Sequence, residues 1–227
     1  MPDARSCAHS NSKRSRSKVF TLPAQRIVLA TRNVGKIKEF RRILDEIHSD
    51  TIELIGLEHF PEMADVEETG QTFLENALLK ARAVSAQTGL PAIADDSGLC
   101  IDALDGSPGI FSARWSGTHG NDQANIEKVL MQLDSVKDRD RGAHFTCVSA
   151  FVMPDGSETT AEGILAGRIL TVPIGDHGFG YDPIFLPLGS ALSLAQLDAR
   201  EKDEMSHRGQ SLRAIAPRVA AMMGTLG

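Results

Sequence analysis

Two adjacent carboxylates, Asp95 and Asp96, stand between short apolar runs, Ala92-Ile93-Ala94 and Leu99-Cys100-Ile101, with Ser97 and Gly98 completing the gap. The runs read as buried strand and the acidic step as a tight elbow between them. Adjacent carboxylates repel each other, and fixing them beside a buried sheet costs free energy unless a cation shares the site. Magnesium suits such a site, because it takes hard oxygen ligands and is often held by one or two carboxylates plus substrate phosphates. Asp-Asp-Ser-Gly is equally the chemistry of a solvated Asx turn. The stretch alone leaves both readings open.

Three further stretches carry chemistry. Thr31-Arg32-Asn33-Val34-Gly35-Lys36 lies between a strand-like run, Ile27-Val28-Leu29-Ala30, and a helical pattern through Ile37, Phe40, Leu44 and Ile47. With Asn33 as N-cap, this strand–loop–helix makes an anion site from free amides and the positive end of the dipole. Lys36 opposes that dipole unless a phosphate binds there. The spacing is not that of a Walker loop. Gly178-Phe179-Gly180-Tyr181-Asp182 offers an aromatic face between glycines, able to stack on a base or to pin a loop to the core. Ser206-His207-Arg208-Gly209 places two donors at a helix start; taken alone they read as surface residues.

The elements that must position these groups are an alternation of strands and helices. Ile52-Glu53-Leu54-Ile55 reads as a strand. Thr72-Phe73-Leu74-Glu75 has the form of a capping box that opens a helix to about Gln87, stopped by Gly89 with Pro91 beyond. The apolar stripe of that helix is Phe73, Ala77, Ala81 and Val84, flanked by Asn76 and Lys80. Snorkelling to water is the expectation for Lys80, with a reach to phosphate as the alternative. A loop is expected over Phe111 to Gly120, a helix over Asp122 to Leu133, and a hairpin joins a strand at Phe145–Ala150 to one at Glu158–Leu170 through Pro154-Asp155-Gly156. A last helix carries Leu212, Ile215, Val219 and Met222, which Pro217 should kink or shorten.

The 227 residues, 41% hydrophobic, suffice for one sizeable domain. No apolar run of about 18 residues is present, so no membrane span is expected. Cys7, Cys100 and Cys147 form neither a metal pair nor an even disulfide set, which favours a reducing compartment. The net charge is −6, yet residues 1–25 carry five basic residues against one acid, leaving −10 for the rest. An acidic body argues against a nucleic-acid groove. Residues 1–25 read as a basic, disordered tail without the apolar core of a secretory signal, although their scarcity of acids is shared by transit peptides. Residues 26–227 read as a single two-lobed α/β domain.

The order and wording of these blocks resemble the inosine triphosphate pyrophosphatase family. The matching segments are Leu29–Lys36, Glu67-Glu68-Thr69-Gly70, Phe73–Lys80, Ala94–Leu99, Pro108–Arg114, Gly178–Phe185 and Ser206–Gly209, spread over roughly residues 26–220. The resemblance implies a long, curved mixed β-sheet with flanking helices in two lobes around a central cleft. It implies hydrolysis of the deaminated purine nucleotides ITP, dITP and XTP to the monophosphate and pyrophosphate with Mg2+, by a homodimer; cysteine usage, charge and hydropathy add a cytoplasmic location with no nucleic-acid or membrane partner. Carried over by motif, Thr31, Arg32, Asn33, Val34, Gly35 and Lys36 bind the triphosphate, and Lys80 is a second phosphate partner. Glu68 and Asp96 hold the metal, and Asp96 is the base for the attacking water. Ser97 contacts substrate, Phe179, Gly180, Tyr181 and Asp182 wall the base and sugar, Lys202 lies over the nucleotide, and His207 and Arg208 face the six-position of the purine. Where relatives often have glycine, this chain has Arg32, which would be strained if that position needed a positive φ. Two rivals remain: a nucleotide-binding regulatory protein that does not hydrolyse, and a pyrophosphatase of other nucleoside triphosphates.

Overall fold

The structure, a computed structural model, describes residues 25–47 and 52–224. Apart from Gln25, the expected basic tail lies outside the described residues. Six strands form one mixed sheet in the order β2-β1-β3-β4-β5-β6. β1 (Gln25–Leu29) is parallel to β2 (Ile52–Gly56) and to β3 (Ala92–Ile101). β4 (Gly142–Val152), β5 (Glu158–Ile169) and β6 (Phe185–Pro187) then add antiparallel. The expected elbow at Asp95-Asp96 is therefore absent. β3 runs unbroken for 10 residues, because β4 pairs with it along its whole length, from Ala92 opposite Val152 to Ile101 opposite Ala143.

Alternation along β3 sorts its neighbours. Ala92 and Ala94 join Val28, Val148 and Ala150 under Ala77, Ala81 and Val84 of α2 (Phe73–Thr88). Ile93 faces the other way, with Ile27, Leu29 and Phe151, against Phe40 and Ile43 of α1 (Val34–Ile47) and Leu212, Ile215 and Val219 of α5 (His207–Met223). Beyond the acidic step, Leu99 and Ile101 enter a separate core with Ile126 and Val129 of α3 (Asp122–Gln132), Phe145, Ile184 and Phe185. The cores at the two ends of β3 give the molecule its two lobes, and the polar residues 95–98 lie where they meet.

Helix termini follow the sequence closely. Asn33 Oδ1 accepts from the Lys36 amide (3.1 Å), and Thr72 Oγ1 accepts from the Glu75 amide (3.1 Å). The returning half of the expected capping box is displaced by one residue: Glu75 accepts from the Gln71 amide (2.6 Å), not from that of Thr72. Gly89, at φ 68°, closes α2 in the left-handed region where a side chain would be strained. Residues Gly109–Arg114 coil into a 3-10 turn where open loop was expected. α4 (Ala199–Met205) leads through Ser206, whose hydroxyl caps α5 by accepting from the Gly209 amide (2.9 Å). α5 is not shortened by Pro217, and Met223, not Met222, completes its buried stripe. Proline inside a helix costs about 3 kcal/mol. Burying Leu212, Ile215, Val219 and Met223 contributes about 1.5–3 kcal/mol each and outweighs it.

Candidate active site

A cleft of about 650 Å³ opens between the lobes, walled by residues from both. Of the residues singled out in the sequence, Thr31, Arg32, Asn33, Lys36, Glu68, Lys80, Asp96, Ser97, Phe179, Gly180, Tyr181, Asp182, Lys202, His207 and Arg208 line it. Val34 does not: it is 64% exposed on the outer side of α1. Gly35 lies beneath the Phe179 ring, where an added Cβ would come within 2.6 Å of Cδ1. Arg32 has no positive φ. Its side chain reaches across to the segment before α2, donating to Asp65 (2.7 Å) and to the Met63 carbonyl (2.9 Å).

At one end, α1 begins. Its first turn presents Lys36 and the Val34 and Gly35 amides, which precede the first intrahelical bond, and Thr31 Oγ1 accepts from the Asn33 amide (3.2 Å) to hold the loop before it. Opposite, Lys80 does not snorkel to water. Its ammonium donates to Glu68 Oε1 (2.7 Å) and to Asp96 Oδ1 (3.3 Å), and the side chain is only 12% exposed. Asn76, fully buried one turn earlier on α2, donates to the second oxygen of Asp96 (3.2 Å). Burial pushes the Asp96 carboxyl above its ordinary range, with Glu68 and Asp95 adding to the effect against the pull of Lys80 and Lys36. For Glu68, burial is outweighed by Lys80, and its carboxyl is held low. Burial would likewise lower Lys80, but Asp96, Asp95 and Glu68 keep it firmly protonated.

At the other end, the Phe179 ring stands 4.7 Å from the Lys202 ammonium and 5.8 Å from the Arg208 guanidinium carbon, measured to its centroid. Gly178 and Gly180, at φ 76° and 62°, allow the loop to fold tightly around the ring. Asp182 Oδ2 accepts the Phe179 amide (2.9 Å), and Asp122 at the start of α3 accepts the Gly180 amide (2.7 Å). Tyr181 lines the cleft with its ring, while its hydroxyl is spent on the Ser112 carbonyl (2.9 Å). The His207 imidazole stacks on Phe145 (centroids 4.7 Å, 9° between planes). Burial, reinforced by Arg208, drives its pKa well below the ordinary value, so the ring is neutral. Its Nδ1 is buried with no partner among the described residues.

His207 and Arg208 are not the surface residues that they resemble in isolation; they are 6% and 2% exposed. Arg208 is held by Glu39 through Nη1 and by Asp95 through Nε and Nη2 (3.2 and 3.1 Å), and donates to Ser97 Oγ (2.9 Å). Glu39 also binds Lys202 (2.8 Å), which in turn pairs with Asp182. Burial works against ionising Glu39, yet Arg208 and Lys202 bring its pKa down to about 2. Sequence reasoning missed Glu39, although a carboxylate one turn beyond Lys36 and beside the apolar Phe40 was the available signal. Arg114, which approaches Glu68 Oε2 at 3.4 Å, was inside a matched block but had no role assigned.

The pairing of Glu68 and Asp96 around one ammonium shows that they can enclose a positive charge. Among the described residues no three His, Cys, Asp or Glu side chains are arranged to hold a metal on their own. Two carboxylates that leave the remaining positions to other oxygens fit a hard divalent ion taken up together with a phosphate chain. No helix among the described residues is long and apolar enough to cross a membrane.

Comparison with known proteins covers most of the chain. Residues 27–218 match the Ham1 family model. The dITP/XTP pyrophosphatase of Streptomyces avermitilis is 52% identical over 199 residues, covering 88% of this chain and 99% of the relative. The protein of the same name from Nocardia farcinica is 50% identical over 197 residues, 87% and 96% of the two chains. Among solved structures, a HAM1 protein from Coxiella burnetii aligns with a TM-score of 0.77 at 42% identity, covering 87% of this chain and 99% of its own. A nucleoside-triphosphatase / dITP/XTP pyrophosphatase from Mycobacterium abscessus aligns with a TM-score of 0.70 at 47% identity, covering 85% and 100%.

Proposed function

The chain belongs to the Ham1 family, and from that premise we propose that it hydrolyses dITP, ITP and XTP to the monophosphate and pyrophosphate. The observation that carries this reading is one cleft lined by two kinds of group. Lys36, Lys80 and the α1 amides lie with acidic Glu68 and Asp96, and a ring, Phe179, and two buried donors, His207 and Arg208, line the same cleft beside them. Relatives of this length and identity are named dITP/XTP pyrophosphatases.

The phosphate end binds by charge. Lys36 and the α1 amides face the phosphate chain, and with Lys80 they stabilise the charge that develops on the departing pyrophosphate. Glu68 and Asp96 are the residues that would hold Mg2+, which when bound neutralises phosphate charge and orients the reacting groups. Asp96, whose carboxylate is oriented by Lys80 and Asn76, takes the proton of the attacking water. No covalent enzyme intermediate is needed. The buried Cys147 thiol, pushed up to about 12 by burial and by Asp95, is no nucleophile.

The base end selects by hydrogen bonding. Hypoxanthine and xanthine present an acceptor oxygen at position six, where adenine presents a donor amine. Arg208 only donates, and the neutral His207 imidazole has one N–H and one acceptor nitrogen. An adenine amine facing Arg208 leaves a buried donor unpaired, which costs about 1–3 kcal/mol. Phe179 provides the stacking face, with Tyr181 and Asp182 behind it.

Within this reading the active species is a cytoplasmic homodimer, and residues 26–227 act as one unit behind a basic tail. The deciding experiment is a panel of nucleoside triphosphates with Mg2+, read as pyrophosphate release. Release from dITP, ITP and XTP at least about tenfold faster than from ATP supports the proposal. Binding without release would mark a regulatory protein, and preference for ATP or a pyrimidine would mark a pyrophosphatase of another class. Light scattering on the purified chain tests the dimer.

A further inference from the structure

The best-connected acid of the site does not itself line the cleft. Asp95 is 1% exposed, in the middle of β3, with Ser149 of β4 opposite it. A single oxygen, Oδ2, accepts from Lys36 Nζ (3.0 Å) and from Arg208 Nε and Nη2 (3.2 and 3.1 Å). The Cys147 thiol approaches the same oxygen at 3.7 Å. Lys36 belongs to the phosphate end of the cleft and Arg208 to the base end. They come from the first turns of two different helices, α1 and α5, and meet on this one atom.

We propose that Asp95 is a positioning residue that ties base recognition to phosphate geometry, by anchoring Lys36 and Arg208 to one fixed point in the sheet. The inference rests on the function proposed above and deepens it. A lysine is a point charge on a flexible stem, and an arginine is a planar fork; neither sets its own position. β3 is paired along its whole length to β4, so its carboxylate moves little and the two cations keep a constant separation. A purine seated against Arg208 then brings its phosphates into register with Lys36. A purine held away from Arg208 by a mismatched six-substituent arrives out of register. A misplacement of about 1 Å can cost about 100-fold in rate. Discrimination therefore falls on kcat as well as on KM. Ser97 Oγ and Glu39 take two further N–H groups of the guanidinium and leave one on Nη1 for the base; among the described residues Asp95 is the one group that bonds both cations.

The test uses the full chain with Mg2+, comparing ITP and ATP by pyrophosphate release. Asp95→Asn keeps the shape and removes the charge. It should lower kcat for ITP about tenfold or more with KM changed less than about threefold, and should shrink the ITP/ATP ratio of kcat/KM about tenfold at the same time. A purely structural role would lower the melting temperature and the active fraction but leave that ratio alone, and an unchanged ratio overturns the proposal. Should Asp95→Asn fail to fold, the cycle formed by Lys36→Met, Arg208→Lys and the double variant decides. Loss in the double variant smaller than the product of the single losses supports a shared anchor, and simple multiplication of the two refutes it. A wild type that releases pyrophosphate no faster from ITP than from ATP refutes the functional reading itself. A discriminating wild type unaffected in its ratio by Asp95→Asn refutes only the role of Asp95.

Discussion

Asp95 and Asp96 are neighbours in the chain and face opposite sides of the sheet. Asp95 accepts from Lys36 and Arg208 on the side of α1 and α5, and Asp96 from Lys80 and Asn76 on the side of α2. They are not a joint cation site. Two carboxylates a single residue apart on a continuous strand point away from each other, so each acquires its own set of positive partners. Their electrostatics diverge accordingly. Burial opposes the charge on both; Lys36, Arg208 and Lys80 overcome it at Asp95, and at Asp96 it prevails.

In the proposed function Asp96 takes the proton of the attacking water. Asp96→Asn should lower kcat by about 10²–10⁴-fold, the range for loss of a general acid or base. The fold should survive, because the amide retains a contact with Asn76. Pyrophosphate release and the far-ultraviolet circular dichroism spectrum, measured on the same sample, check both halves.

Lys80→Met removes the ammonium between Glu68 and Asp96 and leaves two carboxylates facing one another. Since Glu68 is partly exposed, the loss should be smaller than the 3–5 kcal/mol of a fully buried pair, on the order of 1–3 kcal/mol. The melting temperature should fall in a chelator and recover in part with Mg2+, while the wild type responds less to the ion. A variant whose melting temperature ignores Mg2+ would count against Glu68 and Asp96 as the metal's residues.

His207 sets an acid-side limit on stability. Its folded pKa lies well below the ordinary 6.5, so below pH 6.5 the unfolded chain binds a proton that the folded chain excludes. Stability from this group is therefore fully present above pH 6.5 and is lost as pH falls, with a slope approaching about 1.4 kcal/mol per pH unit. His207→Gln should flatten the melting temperature profile between pH 6.5 and 5. An equally steep profile in that variant would assign the acid sensitivity to other groups.

Gly35→Ala separates binding from folding. In the first turn of α1 the substitution favours the helix by up to about 1 kcal/mol. The new Cβ would press on the Phe179 ring at 2.6 Å, which must tilt from its place. The expected result is an unchanged or higher melting temperature with KM for ITP raised about three- to tenfold, as part of a stacking contribution of about 1–3 kcal/mol is lost. An unaltered KM would mean that the ring takes no part in holding the base.

Much of this protein is determined by the sequence alone. The apolar run Ile27–Ala30 marks a strand by composition, and the Asn33 and Thr72 caps, the Gly89 stop and the hairpin at Pro154–Gly156 are local, each following from bonds made within a few residues. The motif blocks likewise marked most of the groups that line the cleft, because their types are constrained by chemistry and not by packing. Tertiary structure decided the partners. Whether Lys80 reached water or two carboxylates, whether residues 95–98 turned or ran straight, and whether His207 and Arg208 lay on the surface all depended on which strand and which helix covered them. Glu39 and Asp95 show the reason most clearly. They bind Arg208 from 169 and 113 residues away along the chain, and a buried charge is tolerable only where the fold brings its counter-charges to it, which no local pattern records.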